Sequence, residues 1–448
     1  MEKREQWGSR LGFIFAAAGS AIGLGNIWRF PTRVGENGGG AFVLIYLLIM
    51  FAIGIPVMIS EFVVGRKGQK NIVGSFTSIK NTPLWYGVGF MGVLSGFLIL
   101  SFYSVVAGWG VSYIFKFITG TFTGNVDTTE IFIGLITDPI QPLFWHLVFM
   151  GMTTYIVLKG IGGGIEKYSK LLMPALLGLL VLLAIRSLTL SGAWEGVVWY
   201  LKPDFSAITT ETILASLGQV FFSLSLGMGA MITYGSYLSK KEDIPVNALL
   251  ISLADLFIAV LAGFIIIPAV FAFGFEPGAG AGLVFMTLPA VFEAMPFGSI
   301  FGFLFFVLLT IAALTSAISF LEAVVAYFID EVKWDRKKAT LIIGTIIFLM
   351  GVPVSLSQGG ITIANIDFLD LFDNITALVF LPLGGLMTVI FVGWVWGGKN
   401  ALSEIEQEGV KFKLGNAWLF LVKYILPVVL FYILASGLYP VIKDYLPF

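Results

Sequence analysis

The chain has 448 residues, 58% of them hydrophobic and 12% charged, with a mean hydropathy of +0.95 and a formal net charge of −1. A soluble domain carries about 25% charged residues, so this composition indicates a polytopic membrane protein. Cysteine is absent and His146 is the single histidine, which excludes disulfide, thiolate and cysteine- or histidine-metal chemistry; no basic patch for nucleic acid is present.

The charged N-terminal stretch MEKREQWGSR lacks a small-residue cleavage site, so no removable signal peptide is expected. Apolar stretches of roughly twenty residues mark membrane crossings. They fall near 10–36, 41–66, 85–117, 143–158, 165–186, 213–237, 243–272, 298–330, 338–355, 368–396 and 416–438, numbered here as spans 1 to 11. His146 falls on the flank where a loop enters span 4. If the N-terminus is cytoplasmic, the inner segments hold 19 of the 26 Lys and Arg residues, while loops 118–142 and 273–297 hold none. The positive-inside rule therefore predicts a multi-pass protein of the plasma (inner) membrane, N-terminus inside and C-terminus outside.

Span 1 begins as an apolar helix and runs into Gly19-Ser20-Ala21-Ile22-Gly23-Leu24-Gly25-Asn26, with three glycines in seven residues. Glycine frees the backbone from helical geometry. Unpaired backbone in lipid is tolerated only where it is buried in protein or lines a wet cavity. The stretch is either an interrupted span or a tightly packed helix with small residues at its contact face. Span 6 carries a second such stretch, Gly218 to Ala230, with Ser223, Ser225, Gly227 and Gly229 at mid-span. It lies five crossings after the first. An odd offset inverts one unit relative to the other, so 10–186 (spans 1–5) and 213–396 (spans 6–10) form two inverted repeats, with span 11 (416–438) outside them. Broken spans at matching positions of inverted halves point to a midplane transport site. Half-helix ends present free N–H groups that attract a carboxylate and free carbonyls that attract a cation.

Polar residues inside other spans follow the same logic. Thr315-Ser316 in span 8 either offers hydroxyl ligands to a hard cation or back-bonds to its own helix. Asp255 in span 7 is an acid among Ile, Leu, Val and Phe, which marks a functional position. Glu61 in span 2 is a second such acid, close enough to the inner end to snorkel.

RLGFIFAAAGSAIGLGNIWRFP, ENGGGAF, GQVFFSLSLGMGA and LTSAISF resemble the neurotransmitter:sodium symporters, and the resemblance covers nearly the whole chain. It implies an all-α polytopic protein of the LeuT fold, in its eleven-span bacterial form where many members have twelve, with spans 1 and 6 unwound at midplane. A first sodium ion would take the carbonyl of Ala21, the side chain of Asn26, the hydroxyl of Ser223, and Asp255 where many members have Asn. A second would take the carbonyls of Gly19, Ile22 and Ala312 and the hydroxyls of Thr315 and Ser316. The amino and carboxyl groups of an amino-acid substrate would meet backbone around Ala21, Gly23, Leu24 and Gly25 and around Phe222, Ser223 and Ser225, with the Tyr103 hydroxyl on the carboxylate. Ser20, Ile99, Phe222, Ser225, Met228, Ser316, Ala317 and Phe320 would line the rest of the pocket. Arg29 with Asp370 would form an outer gate, Asp373 being the alternative partner. Arg4 with Asp330 would form an inner latch beside Trp7 and Tyr237. Gly164 and Pro174 would bracket a segment of span 5 that unwinds to let water in, with Glu166, Lys167, Ser169 and Lys170 facing the cytoplasm. Glu322, two residues beyond Phe320, has no role in this scheme.

Two departures bear on substrate and ions. In chloride-coupled relatives Tyr, Gln, two Ser and Asn hold the anion. Tyr46, Gln219 and Ser223 fit that set, but Asp255 and Ala259 do not, so an ionised Asp255 supplies the negative charge and no chloride requirement is expected. Ala317 and Met228 leave room for bulky apolar or aromatic side chains. The expected function is sodium-coupled import of hydrophobic or aromatic L-amino acids by alternating access; a transport-silent amino-acid sensor on the same fold is the alternative. No covalent chemistry is involved, so no enzyme is expected, and beyond the amino acid and membrane lipid no protein partner is evident.

Overall fold

The computed structural model describes residues 5–124, 126–275 and 282–445, with side chains as far as residue 438. All the named elements among the described residues are helices. Eight of them are continuous and apolar enough to cross a membrane: Gly40–Gly68, Pro83–Ile118, Ile161–Leu188, Ile244–Ala272, Gly298–Asp330, Arg336–Gln358, Phe368–Val395 and Gly415–Leu438. They are spans 2, 3, 5, 7, 8, 9, 10 and 11. Spans 1, 4 and 6 are the exceptions. Span 1 is a bent pair, Arg10–Ala21 and Gly25–Glu36, at 50°. Span 4 is Gln141–Leu158, meeting the short helix Thr128–Thr137 at 79°. Span 6 is divided into Thr210–Ser223 and Ala230–Gly235.

The helix starts are written in short polar side chains. Ser9, Asn71, Asp243, Asp335 and Asp367 each accept a hydrogen bond from the backbone N–H two or three residues on, and Thr209 and Thr212 cap span 6 reciprocally. Helices inside a bilayer gain little from the hydrophobic effect and associate by close packing, which favours small residues at their contacts. Spans 3 and 8 make the most extensive pairing in the molecule. Where span 2 crosses the second half of span 6, a Cβ on Gly65 would lie 2.0 Å from the Ile232 carbonyl. The backbones can touch there only because the residue is glycine.

The face that holds the start of span 1 also holds the span 2–3 and span 8–9 turns; it is called the N-terminal face below, and the opposite one the far face. Both interruptions lie in the middle of the bundle, walled by spans 3, 7, 8 and 10.

Candidate functional site

The first half of span 1 ends where Ile22 turns to φ −81°, ψ 103°, its N–H still bonded to Ala18 O. Gly23, Leu24 and Gly25 then carry the chain into a π-helical turn, Gly25–Arg29. A Cβ on Gly23 would sit 2.3 Å from Ser316 Oγ and 2.7 Å from the Tyr103 hydroxyl, so only glycine admits both groups to the break. The stretch is an interrupted span, not a packed continuous helix.

Span 6 ends at Ser223 with the closure typical of a helix C-terminus: Leu226 N–H bonds to Phe221 O at 2.9 Å around Ser225, which takes φ 53°. Gly227 (φ 78°) and Gly229 (φ 81°) continue in a conformation that glycine reaches without steric cost. The fully buried Glu61 carboxylate accepts the Gly227 N–H at 2.7 Å. Glu61 therefore holds the break in span 6 and does not snorkel to the surface. On the other side, a Cβ on Gly227 would lie 2.1 Å from Leu381 O of span 10. The two breaks touch: Ser225 Oγ donates to Ser20 O at 2.9 Å, and Ser20 Oγ donates to Ser319 Oγ at 2.6 Å.

Six oxygens converge where span 8 meets the end of the first half-helix. Ser316 Oγ lies 3.4 Å from Gly19 O, 3.0 Å from Ser20 O and 3.3 Å from Ile22 O. Thr315 Oγ1 lies 3.3 Å from Ile22 O and 2.9 Å from Ala312 O. Thr315 thus back-bonds to its own helix, as one of the two readings of that pair allows. The Ser316 hydroxyl faces span 1 carbonyls instead. Carbonyls and hydroxyls are the ligand set of a hard monovalent cation, and Gly19, Ile22, Ala312, Thr315 and Ser316 are the five residues expected to form the second sodium site.

A separate polar cluster surrounds Asp255, which is fully buried. Its carboxylate accepts from Asn26 Nδ2 at 2.7 Å, from Ser223 Oγ at 2.9 Å to each oxygen, and from the Tyr46 hydroxyl at 3.2 Å. Asn26 Oδ1 accepts the Gly23 N–H at 3.1 Å. Asn26, Ser223 and Asp255 are together as expected, with Ala21 buried at the break. However, Asn26 turns its NH2 toward the acid and its oxygen away. A half-turn of the amide exchanges the two. Gln219 Nε2 donates to Gly25 O at 2.8 Å and so ties the second half of span 1 to span 6.

Among the expected pocket residues, Ser20, Ile99, Tyr103, Ser225, Met228, Ser316, Ala317 and Phe320 are buried. The Tyr103 hydroxyl accepts the Leu24 N–H at 3.1 Å, and its ring meets Phe320 edge-on at 5.5 Å. Phe222 lies against Gly25 and carries the Arg29 guanidinium over its face at 4.5 Å. Above these rings a cavity of about 170 Å³ runs toward the far face between Trp28, Arg29, Phe102, Tyr103, Phe222 and Asp373. The acid paired with Arg29 is Asp373, at 3.8 Å, and not Asp370. Both lie on Phe368–Asn374, on neighbouring positions of one face, and the axial offset of about 4.5 Å between them decides which one reaches Arg29. Asp370 stays exposed in the first turn, its N–H on the Asp367 cap.

On the N-terminal face, Arg4 lies outside the described residues, so the Arg4–Asp330 latch is not seen. Asp330 accepts the Asn71 N–H at 2.6 Å. Trp7 is in its expected place: Nε1 donates to Tyr234 O at 3.1 Å, and its ring meets Tyr237 edge-on at 6.0 Å. Sequence reasoning left Glu322 without a role, and the structure supplies one. It is fully buried, accepts the Tyr237 hydroxyl at 2.6 Å, and holds Arg336 by two contacts of 2.7 and 3.1 Å. Arg336 reaches on to Glu5 at 3.5 Å. The signal available was an acid two residues past Phe320 on an apolar span, with Arg336 at the start of the next span.

Span 5 opens with a π-helical turn, Ile161–Glu166, and continues through Pro174 as one helix, Lys167–Leu188. A Cβ on Gly164 would lie 2.2 Å from Ile156 O. Lys167 and Lys170 are exposed as expected, but Glu166 and Ser169 are buried. Glu166 turns inward to cap span 1, accepting the Gly8 N–H at 2.7 Å and the Ser9 hydroxyl at 2.9 Å, with Lys170 beside it at 2.6 Å. His146 is likewise not on a flank: it is fully buried inside span 4.

This arrangement has close counterparts. The model of the sodium:neurotransmitter symporter family matches residues 4–130 and 135–445. The sodium-dependent transporter YhdH of Bacillus subtilis is 42% identical over 95% of this chain and 96% of its own length. A sodium-dependent transporter of Haemophilus influenzae is 38% identical over 98% and 99%. The crystal structure of MhsT in complex with L-phenylalanine superposes with a TM-score of 0.90 at 47% identity, covering 97% of this chain and 100% of that one. Two interrupted spans in contact at mid-bundle, lined by hydroxyls and two buried acids, are thus a LeuT-fold architecture, and the chain belongs to the sodium:neurotransmitter symporter family.

Proposed function

We propose that the protein imports hydrophobic or aromatic L-amino acids together with sodium, by alternating access and without chloride. One observation carries this reading: the carbonyls of Gly19, Ile22 and Ala312 and the hydroxyls of Thr315 and Ser316 meet in one spot beside two touching helix breaks. With sodium there, both hydroxyls rotate so that lone pairs rather than protons face the ion. A second sodium would sit between Ala21, Asn26, Ser223 and Asp255, with the Asn26 amide turned to offer its oxygen. The Asp255 carboxylate supplies the charge that an anion supplies elsewhere, since the Tyr46 and Ser223 hydroxyls already donate to it.

The substrate carboxylate would lie at the Gly23–Leu24–Gly25 N–H groups and the Tyr103 hydroxyl, its ammonium group at the carbonyls of Ala21, Phe222 and Ser225. Ser20, Ile99, Met228, Ala317 and Phe320 would receive its side chain. MhsT was solved with L-phenylalanine, which supports the aromatic reading. Tyr103 and Phe222 close the site toward the far face, with Arg29 and Asp373 above them. Tyr237, Glu322, Arg336 and Trp7 close it toward the N-terminal face, which we take to be cytoplasmic from its basic loops. The units 10–186 and 213–396 would be the two inverted repeats that enclose the site, with span 11 (416–438) apart. The experiment is uptake of labelled L-phenylalanine and L-leucine into proteoliposomes. Accumulation should require an inward sodium gradient, fail with potassium, and persist when gluconate replaces chloride. Uptake that ignores the sodium gradient would overturn the reading.

A further inference from the structure

The single histidine has no part in the scheme above, yet its setting is closely built. His146 on span 4 is fully buried. The residue is wedged in a slot between glycines of two other spans, its ring against Gly351 and its backbone against Gly108. A Cβ on Gly351 of span 9 would lie 2.2 Å from His146 Cε1 and 2.9 Å from Nε2. A Cβ on Gly108 of span 3 would lie 2.8 Å from the His146 backbone nitrogen. Phe348 closes the slot, its ring centroid 4.8 Å from the imidazole. Alanine at Gly351 would push the ring out, and alanine at Gly108 would push the backbones of spans 3 and 4 apart.

Inside the slot, His146 Nε2 lies 2.9 Å from Ser104 Oγ. Ser104 spends its own proton on Leu100 O, at 2.6 Å. Its oxygen can therefore only accept, which assigns the hydrogen to Nε2 and makes the imidazole the donor. Nδ1 is left as an acceptor without a partner. A buried polar group kept in an incompletely satisfied position, where an apolar side chain could fill the same space, calls for an explanation.

Ser104 follows Tyr103 in span 3. Adjacent residues on a helix point about 100° apart, so a group that holds Ser104 fixes the rotation of span 3 and with it the direction of Tyr103. The Tyr103 hydroxyl depends on that direction: it meets Leu24 N–H at the span 1 break, and its ring meets Phe320 of span 8. We propose that His146 is a positioning residue for substrate binding: keyed between Gly108 and Gly351, it holds Ser104 so that the Tyr103 hydroxyl stays aimed at the substrate carboxylate. This rests on the reading of Tyr103 given above.

The test is equilibrium binding of labelled L-phenylalanine to the purified full-length protein in saturating sodium, with sodium binding measured separately in the absence of substrate. His146→Ala and Ser104→Ala should each raise the substrate dissociation constant by roughly tenfold, the scale of one weakened hydrogen bond to a charged group. Sodium affinity without substrate should change less than substrate affinity does, since the hydrogen bonds of His146 and Ser104 reach none of the residues expected to hold sodium. His146→Gln, which can still donate to Ser104, should restore most of the affinity. The deciding variant is Tyr103→Phe. If His146 acts through that hydroxyl, His146→Ala added to Tyr103→Phe weakens binding no further. Full additivity of the two changes overturns the proposal, as does wild-type affinity in Ser104→Ala, a variant that removes no buried ring. If Tyr103→Phe itself leaves affinity unchanged, the role given to Tyr103 fails instead.

Discussion

Glu322 joins three elements of the closed N-terminal face, and replacing it by Gln tests whether that closure is a gate. Glu322→Gln keeps the volume but removes the charge. It also turns an N–H2 group toward either the Tyr237 hydroxyl or the Arg336 guanidinium, both of which donate to the carboxylate at 2.6 to 3.1 Å. Breaking a buried ion pair from one side costs about 3–5 kcal/mol. Arg336 is 18% exposed and keeps Glu5 at 3.5 Å, so the low end applies, about 3 kcal/mol. If roughly half of that is relieved when the face opens and water reaches Arg336, the open population rises by about tenfold. The chain has no cysteine, so one introduced thiol reports this directly. Thr233→Cys suits the purpose: Thr233 is fully buried next in the chain to Tyr234, which Trp7 covers, and its hydroxyl has no hydrogen-bond partner to lose. Labelling with a membrane-impermeant thiol reagent from the N-terminal side should quicken by about tenfold in Glu322→Gln, and sodium should slow it again. An unchanged labelling rate, with thermal stability also unchanged, would refute the gate.

Asp255→Asn should impair sodium coupling or make uptake respond to chloride, read as initial rates in chloride against gluconate; a variant that matches the wild type in both would remove Asp255 from the ion sites. Ala317→Leu should exclude tryptophan and phenylalanine while sparing small substrates, because overpacking costs roughly 1–3 kcal/mol; equal losses across a size series would count against this pocket wall. Pro174→Ala restores the N–H that can bond to Lys170 O and should slow uptake while leaving sodium and substrate binding at equilibrium largely intact. Hydrogen exchange over 162–172 should slow with it, and wild-type exchange and transport rates together would exclude span 5 opening as a step.

Composition and hydropathy alone determined that the chain is a membrane bundle, and where its spans lie, because lipid forces every backbone group of a crossing into a helix and every crossing to a similar length. The breaks in spans 1 and 6 were legible for the same reason. Glycines beside Asn26, Ser223 and Ser225 inside apolar spans fit either an unwound stretch or a close helix contact, and the recurrence five crossings apart pointed to the first; Gly19, Ile22, Ala312, Thr315 and Ser316 do converge. Partner choice was not legible. Whether Arg29 takes Asp370 or Asp373 depends on how deep span 10 sits against span 1, since the two acids share one face of the helix and differ in height by about 4.5 Å. Glu166 and Ser169 read as solvent-facing beside Lys167 and Lys170, until packing buried both and turned Glu166 onto the start of span 1. Glu322, Glu61 and His146 are alike in this respect. Each is a lone polar residue on an apolar helix, and what it bonds to comes from a span distant in sequence: Arg336 and Tyr237, the Gly227 N–H, and Ser104. Local pattern carries the cost of placing such a group in a membrane, but only the assembled bundle decides which neighbour offsets it.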